Sequence, residues 1–353
     1  MRILILIEEL NGGGKERRLF ELLKGLSRDA NFDVHLALTK KQNDYPYVND
    51  LPITIHRVYG FSNIALIGEY KRLFDRLRPE VVHAWSYKTS FYASLFKMPF
   101  RFKFIAGFIG DTFGLFKWKA IVARYIIFNQ ADFVVGNSRA GLLAYRVPKK
   151  KGRVIYNGFD PARISTNRES KLKEIGVSTP LKVVMLANVT PYKNYPLFID
   201  LARKVTSQRD DVTFISIGKI LPEFEALTAP YVGNKHPRVK FLGFRSDAEE
   251  LIKDCDVGLL CTYSEGISNA IIELMANGVP VITNDTQGGS KEIIDNQETG
   301  IICTDDELIA QLQRLLSDAG LRAHLSNNAK NKILHSWSLN AMVIEYIKLY
   351  KRI

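Results

Sequence analysis

Two hydrophobic rhythms alternate along this chain. Short apolar runs appear at RILILI (2–7), DVHLALT (33–39), PITIHRV (52–58), EVVHAWS (80–86), KFIAGF (103–108) and ADFVVGNS (131–138). A second series follows at LKVVMLA (181–187), VTFISIGK (212–219), RVKFLGF (238–244), VGLLCT (257–262) and VPVIT (279–283). Runs of this kind predict strands buried on both faces, the habit of parallel sheets. Between them, apolar residues recur at helical spacing, as in Leu19, Leu22, Leu23 and Leu26. Helices are also expected over residues 68–78, 117–130, 268–277, 306–318, 321–334 and 337–351. Alternation sustained over 353 residues predicts an α/β chain with two doubly wound parallel sheets, each with its own core.

The stretch 257–292, VGLLCTYSEGISNAIIELMANGVPVITNDTQGGSKE, carries the densest chemistry. It reads as strand, tight loop, helix, turn, strand and glycine-rich loop. Ser268 is the expected N-cap, and Gly278 with Pro280 ends the helix. Gly266, lacking a Cβ, lets a ligand approach the backbone. The free N–H groups from Ser268 to Ala270 form an anion site at the positive end of the helix dipole. Glu273 lies one turn beyond Asn269. A carboxylate is repelled by a diphosphate, so Glu273 suits hydroxyls slightly further off, such as a ribose diol. Glu265 suits sugar hydroxyls in the same way. The plainer alternative is an ordinary strand–helix–strand unit with surface glutamates.

Charge changes the picture for one half only. Residues 1–155 hold 26 Lys and Arg against 13 Asp and Glu; the remainder hold 23 against 24. The excess of +12 therefore belongs to the first half, which points to an anionic partner there. Within it, residues 86–128 interleave aromatics with Lys and Arg, and Asp111 is the lone acid. Such a face fits the interfacial zone of an anionic membrane. Stacked nucleic-acid bases and a core with snorkelling lysines are the alternatives. No run reaches the length of a membrane span, and MRILILIEEL reads as a buried strand, not a leader. Cys255, Cys261 and Cys303 lack metal or disulfide spacing, so reduced thiols in the cytoplasm are expected. Asp254-Cys255-Asp256 spells D-x-D, but its place at a helix end favours capping over metal binding.

The segment E-G-I-S-N-A-I-I-E (265–273) resembles the E-x7-E signature of retaining GT-B glycosyltransferases, most closely glycosyltransferase family 4. The likeness continues through G-V-P-V-I-T and G-G-S-K-E-I-I. It implies two Rossmann-like domains facing across a cleft, with Glu273 on the nucleotide ribose and Glu265 on the donor sugar. Ile267, Ser268 and Asn269 would hold the diphosphate, with Gly266 beside them in the donor site. RVIYNGFDPARI (153–164) resembles the family's interdomain linker. The domains expected are 1–165 on the acceptor side and 166–336 on the nucleotide side, with the helix 337–353 crossing back to the first.

The remaining candidates follow from the same resemblance. Gly13, Gly14 and Glu16 match a G-G-x-E loop. His83 matches D-x-x-H-x-H, with Trp85 in place of the second His. The loop FIGDTFG lacks the family's catalytic-site His, which makes Asp111 a candidate to orient an acceptor or sugar hydroxyl. Lys193 matches the Lys of G-R-x-x-x-x-K, while Asn188 stands where the Arg is usual. Either the helix start at Ser268 or Arg245 would compensate for that missing cation. Gly218 lies where donor phosphate or base passes close.

The expected activity is metal-independent, cofactor-free transfer of a sugar, with retention, from a nucleotide donor (UDP-linked by preference) to a hydroxyl. The acceptor expected is lipid-linked, in bacterial surface-glycan assembly at the inner face of the cytoplasmic membrane. A UDP-sugar 2-epimerase of the same fold and a non-enzymatic nucleotide- or nucleic-acid-binding protein remain as alternatives.

Overall fold

The computed structural model describes residues 1–10, 14–40, 46–114, 117–166, 169–233, 235–286 and 288–352. The chain forms two compact units. One is Met1–Gly158 with the final helix; the other is Phe159–Ser338. The division falls a few residues before the boundary expected at 165 because Phe159 already belongs to the second unit. Its N–H donates to Trp337 O at 2.8 Å.

In the first unit the strands are β1 (Arg2–Ile7), β2 (Asp33–Leu38), β3 (Thr54–Arg57), β4 (Val81–Ala84), β5 (Lys103–Ile109), β6 (Phe133–Gly136) and β7 (Gly152–Val154). They form one sheet in the order β3-β2-β1-β4-β5-β6-β7, every pair parallel. The second unit holds β8 (Leu181–Leu186), β9 (Val212–Ile217), β10 (Val239–Phe241), β11 (Val257–Leu260), β12 (Val281–Asn284) and β13 (Gly300–Cys303). Their order is β10-β9-β8-β11-β12-β13, again all parallel. Both are doubly wound sheets, reversing beside β1 and β8, as expected.

Helices cover both faces of the first sheet. Helix α1 (Gly14–Leu26) buries Leu19, Leu22, Leu23 and Leu26 on one face. On the other lie α2 (Asn63–Leu77), α3 (Tyr87–Phe100) and α4 (Lys117–Val122), the last running on through a π turn at Ala123–Ile127. The aromatic stretch 86–128 divides between two fates. Tyr92, Phe96, Phe102, Phe104 and Phe128 are core. Trp118, Ile121 and Tyr125 stay exposed, spaced as a stripe along one side of α4 and its π turn. Lys119 and Arg124 lie over the Trp118 and Tyr125 rings at 5.7 and 5.9 Å. Lys97 is half-buried and paired with Asp132, so it belongs to the fold and not to that surface. No helix among the described residues is long and apolar enough to cross a membrane.

The second unit places α5 (Tyr195–Gln208), α6 (Asn269–Ala276) and α7 (Ala319–Ser336) around its sheet. The chain ends in α8 (Leu339–Arg352), which buries Met342, Tyr346 and Tyr350 in the first unit's core. Contact between α1 and α8 depends on Gly25, where a Cβ would fall 2.4 Å from Val343 Cγ2. Gly25→Ala should lower stability by about 1–3 kcal/mol through overpacking. Gly68→Ala, at an open helical position, should raise it by about 0.5–1 kcal/mol. Thermal unfolding midpoints moving in opposite directions would confirm the pair.

Candidate functional site

Open α/β sheets gather ligands at the carboxyl ends of strands where the strand order reverses. In the second sheet that place is the β8–β11 pair. From β8 the chain runs into residues 187–194, and from β11 into residues 261–268. Backbone contacts tie these loops together. Lys193 bridges Thr262, Asn194 N–H donates to Cys261 O at 3.0 Å, and Tyr263 N–H donates to Tyr192 O at 3.1 Å. The consequence is a close ion pair between Lys193 Nζ and Glu265 Oε2, with side chains 16% and 20% exposed. Two candidates 72 residues apart thus meet.

A third loop supports this pair. Gly289 N–H donates to Glu265 O at 3.0 Å. A Cβ on Gly288 would sit 2.4 Å from Glu265 O, and one on Gly289 would sit 2.7 Å from Gly266 O. The G-G-S motif is therefore a steric requirement for seating Glu265 and Gly266. Ile267 is buried, and Ser268 takes the N-cap position of α6, where its carbonyl accepts from Ile272 N–H at 3.2 Å. The Ser268 side chain makes no cap bond. Asn269 opens the helix, and its first-turn N–H groups carry the positive end of the dipole.

Glu273, one turn along, is buried and accepts from Arg163 Nη2 at 2.8 Å. The same nitrogen lies 2.6 Å from Glu249 Oε1, and the guanidinium stacks over Phe159 at 5.1 Å. Arg163 was not among the expected site residues. It lies in the NGFDPAR segment, read only as linker, and nothing local marks a partner 110 positions away.

Other candidates carry structural contacts of their own. Gly218 has φ +156°, and a Cβ there would lie 2.1 Å from Ala187 O. Asn188 Oδ1 accepts from Lys219 N–H at 2.8 Å, so its amide fixes the same crossing. Arg245 has a carboxylate partner of its own. It forks onto Asp247, Nε to Oδ1 at 2.8 Å and Nη2 to Oδ2 at 2.7 Å. The guanidinium holds the Asp247 carboxyl below the usual range. Asp256, of the D-x-D sequence, accepts Lys182 N–H at 2.8 Å and ties β8 to β11.

In the first unit, Gly14 starts α1, and Gly13 lies outside the described residues. His83 departs from expectation: it is fully buried. Its Nδ1 accepts from Tyr350 Oη at 2.7 Å and Trp85 Nε1 at 3.3 Å, and a Cβ on Gly107 would fall 2.5 Å from Nε2. Burial, with a smaller push from Arg18, drives the imidazole down to about 3, so it is a neutral packing group beneath α8. Asp111 accepts from Phe113 N–H at 3.0 Å and from Tyr145 Oη at 3.1 Å, organising its own loop.

Removing Arg163 would leave Glu249 and Glu273 facing each other across partly desolvated space. Their side chains are 20% and 9% exposed, and that of Arg163 is 19%. Arg163→Gln should cost roughly 2–3 kcal/mol, somewhat less than breaking a fully buried pair. Arg163→Lys should recover part of the loss in chemical denaturation.

Comparison with known proteins follows the same division. The Glycosyl transferases group 1 family matches residues 167–332, and Glycosyltransferase Family 4 matches residues 12–163. The chain is similar to the N-acetylgalactosamine-N,N'-diacetylbacillosaminyl-diphospho-undecaprenol 4-alpha-N-acetylgalactosaminyltransferase of Campylobacter jejuni. The two are 21% identical over 350 residues, 93% of each protein. It is also similar to the N,N'-diacetylbacillosaminyl-diphospho-undecaprenol alpha-1,3-N-acetylgalactosaminyltransferase of that organism, 26% identical over 277 residues, 73% of this chain and 72% of the relative. The crystal structure of Anabaena Alr3699/HepE in complex with UDP-glucose has the same fold. Its TM-score is 0.88, at 20% identity over all of both chains.

Proposed function

The chain belongs to the GT-B glycosyltransferases of family 4, and from that premise we propose that it moves a sugar from a UDP-sugar, with retention, to a diphospho-undecaprenol-linked glycan in bacterial surface-polysaccharide assembly. The observation that carries this reading is the Lys193–Glu265 pair beside the start of α6, with Glu273 held one turn further on. A departing UDP gathers negative charge in the transition state. A positioned donor there is typically worth about 3–4 kcal/mol. Lys193 and the backbone N–H groups at Ser268–Ala270 supply such donors without a metal. Glu265 shares Lys193 with the incoming phosphate and meets the sugar hydroxyls. Glu273, kept oriented by Arg163, accepts from the ribose diol. The undecaprenol acceptor follows from the names of the two Campylobacter relatives, and the UDP donor from the Anabaena complex.

Retention then proceeds by front-face attack, the donor phosphate taking the acceptor's proton. That route asks for no histidine base, which suits a buried, neutral His83. A lipid-linked acceptor brings the enzyme to a membrane surface. We assign docking on anionic lipid to the exposed Trp118, Ile121 and Tyr125, flanked by Lys119 and Arg124.

Two measurements test the proposal. Glu273→Gln should weaken UDP binding at least tenfold. At a UDP concentration 100 times the wild-type dissociation constant, the wild type should gain about 2.7 kcal/mol in a thermal-shift assay. Equal protection of both proteins would remove the ribose assignment. Trp118→Ser with Tyr125→Ser should release the enzyme from sedimenting phosphatidylglycerol vesicles while leaving UDP binding intact. Unchanged sedimentation would remove the docking face.

A further inference from the structure

A cavity of about 310 Å³ opens in the first unit, between the edge strand β3 and helix α2, and none of the candidate site residues above lines it. Its walls carry three arginines, Arg57, Arg72 and Arg76, against one carboxylate, Glu69. Arg72 is closely paired with Glu69. Among the described residues neither Arg57 nor Arg76 has a carboxylate partner. The nearest polar group to Arg76 is instead an imidazole, His56 Nδ1, at 3.5 Å from Nη2.

His56 begins a chain of groups leading away from the cavity. Its Nε2 lies 2.9 Å from His35 Nδ1, and the two rings stack at 5.1 Å. His35 Nε2 in turn lies 3.0 Å from Asp33 Oδ1, and Asp33 is gripped by Arg2 Nε at 2.8 Å. The Asp33 charge favours the proton on His35 Nε2. His35 Nδ1 is then the acceptor, His56 Nε2–H the donor, and His56 Nδ1 the acceptor for Arg76. Burial first, and then the charges of His35 and Arg76, push His56 down to about 4. The second imidazole is therefore neutral at pH 7 and fixed in orientation. It sets Arg76 without neutralising it.

We propose that this cavity is a phosphate-binding site, in which Arg57 and Arg76 grip the phosphate of a monoester or diester and His56 backs them as the orienting wall. Guanidinium forks match phosphate oxygens in pairs, which a point charge does not. The volume lies at the lower limit of small-molecule sites, so a headgroup or a small phosphate ester fits and a nucleotide sugar does not. The site also gives part of the first half's positive excess a specific use. Its ligand has two possible sources, the headgroup of an anionic phospholipid or a soluble phosphate ester. The loop between β3 and α2 bears Phe61, fully exposed, and the first turn of α2 bears exposed Ile64.

The test is NMR of the full chain with ¹³C-labelled histidine, following the His56 ring signal. Glycerol 3-phosphate represents the soluble source. Dihexanoylphosphatidylglycerol, below its micelle concentration, represents the lipid, with dihexanoylglycerol, which carries no phosphate, as its comparison. The expected result is a saturable shift of His56 that Arg57→Gln with Arg76→Gln weakens at least tenfold, while UDP binding is unchanged. A shift with the phosphatidylglycerol at lower concentration than with glycerol 3-phosphate identifies the lipid; the reverse identifies the soluble ester. No shift with either compound, equal shifts with the phosphate-free lipid, or a shift indifferent to the double substitution would each overturn the site. The outcome does not depend on Glu273 or on UDP, so it stands apart from the donor-site reading.

Discussion

The placement of β8 beside β11 is the constraint on which the second unit's chemistry depends. A reversal of strand order sends two successive crossovers to opposite faces of the sheet, so the loops leaving those strands part and leave a crevice. Here the loops do not part at once. Backbone bonds join Tyr192–Asn194 to Cys261–Tyr263, and this short antiparallel clasp brings Lys193 and Glu265 into contact. The clasp matters because a long lysine and a loop glutamate would otherwise sample many rotamers, at up to about 2 kcal/mol of side-chain entropy each. With the loop backbones bonded to β11's end and to the Gly288–Gly289 turn, much of that ordering is already done when a ligand arrives.

The strands were legible because strands of parallel sheets are covered on both sides, and their sequences become unbroken apolar runs. Helix α6 and its start at Ser268 were legible for a similar reason, since capping and chain termination are local. Side-chain partnerships were legible only when local or tied to a motif. Lys193 and Glu265 were each found by motif, yet their mutual contact lies in the sheet topology. Arg163 escaped because its carboxylates come from two distant helices. Arg245 shows the opposite case: its partner, Asp247, is only two positions away and takes both faces of the fork. His83 was misplaced because the end of a strand says where ligands collect but not which wall covers the side chain. That wall is α8, at the far end of the sequence.

The aromatic region shows the same limit in another form. Alternating aromatics and cations are compatible with a core or a surface, and residues 86–128 are both. Only the register of α4 and its π turn separates Phe128, buried, from Trp118, Ile121 and Tyr125, exposed. One extra residue in a helical turn rotates everything beyond it by roughly 100°, so no constant period describes the whole segment.

The balance of charge around α6 bears on how the proposed donor is held. Lys193 faces Glu265, and Arg163 faces both Glu249 and Glu273. These five side chains sum to one negative charge, and Asn188 adds none where the family usually has an arginine. A diphosphate entering such a site meets no excess of side-chain cations. Beside what Lys193 offers a phosphate while shared with Glu265, much of its attraction then rests with the peptide dipoles at the start of α6. The Ser268 hydroxyl, not used in capping its own helix, adds one more donor there. On the proposed reading the acids would have a second role beyond gripping hydroxyls: by cancelling Lys193 and Arg163 they would keep the site from holding a released diphosphate too firmly. Product would then leave more easily than from a cluster of free cations.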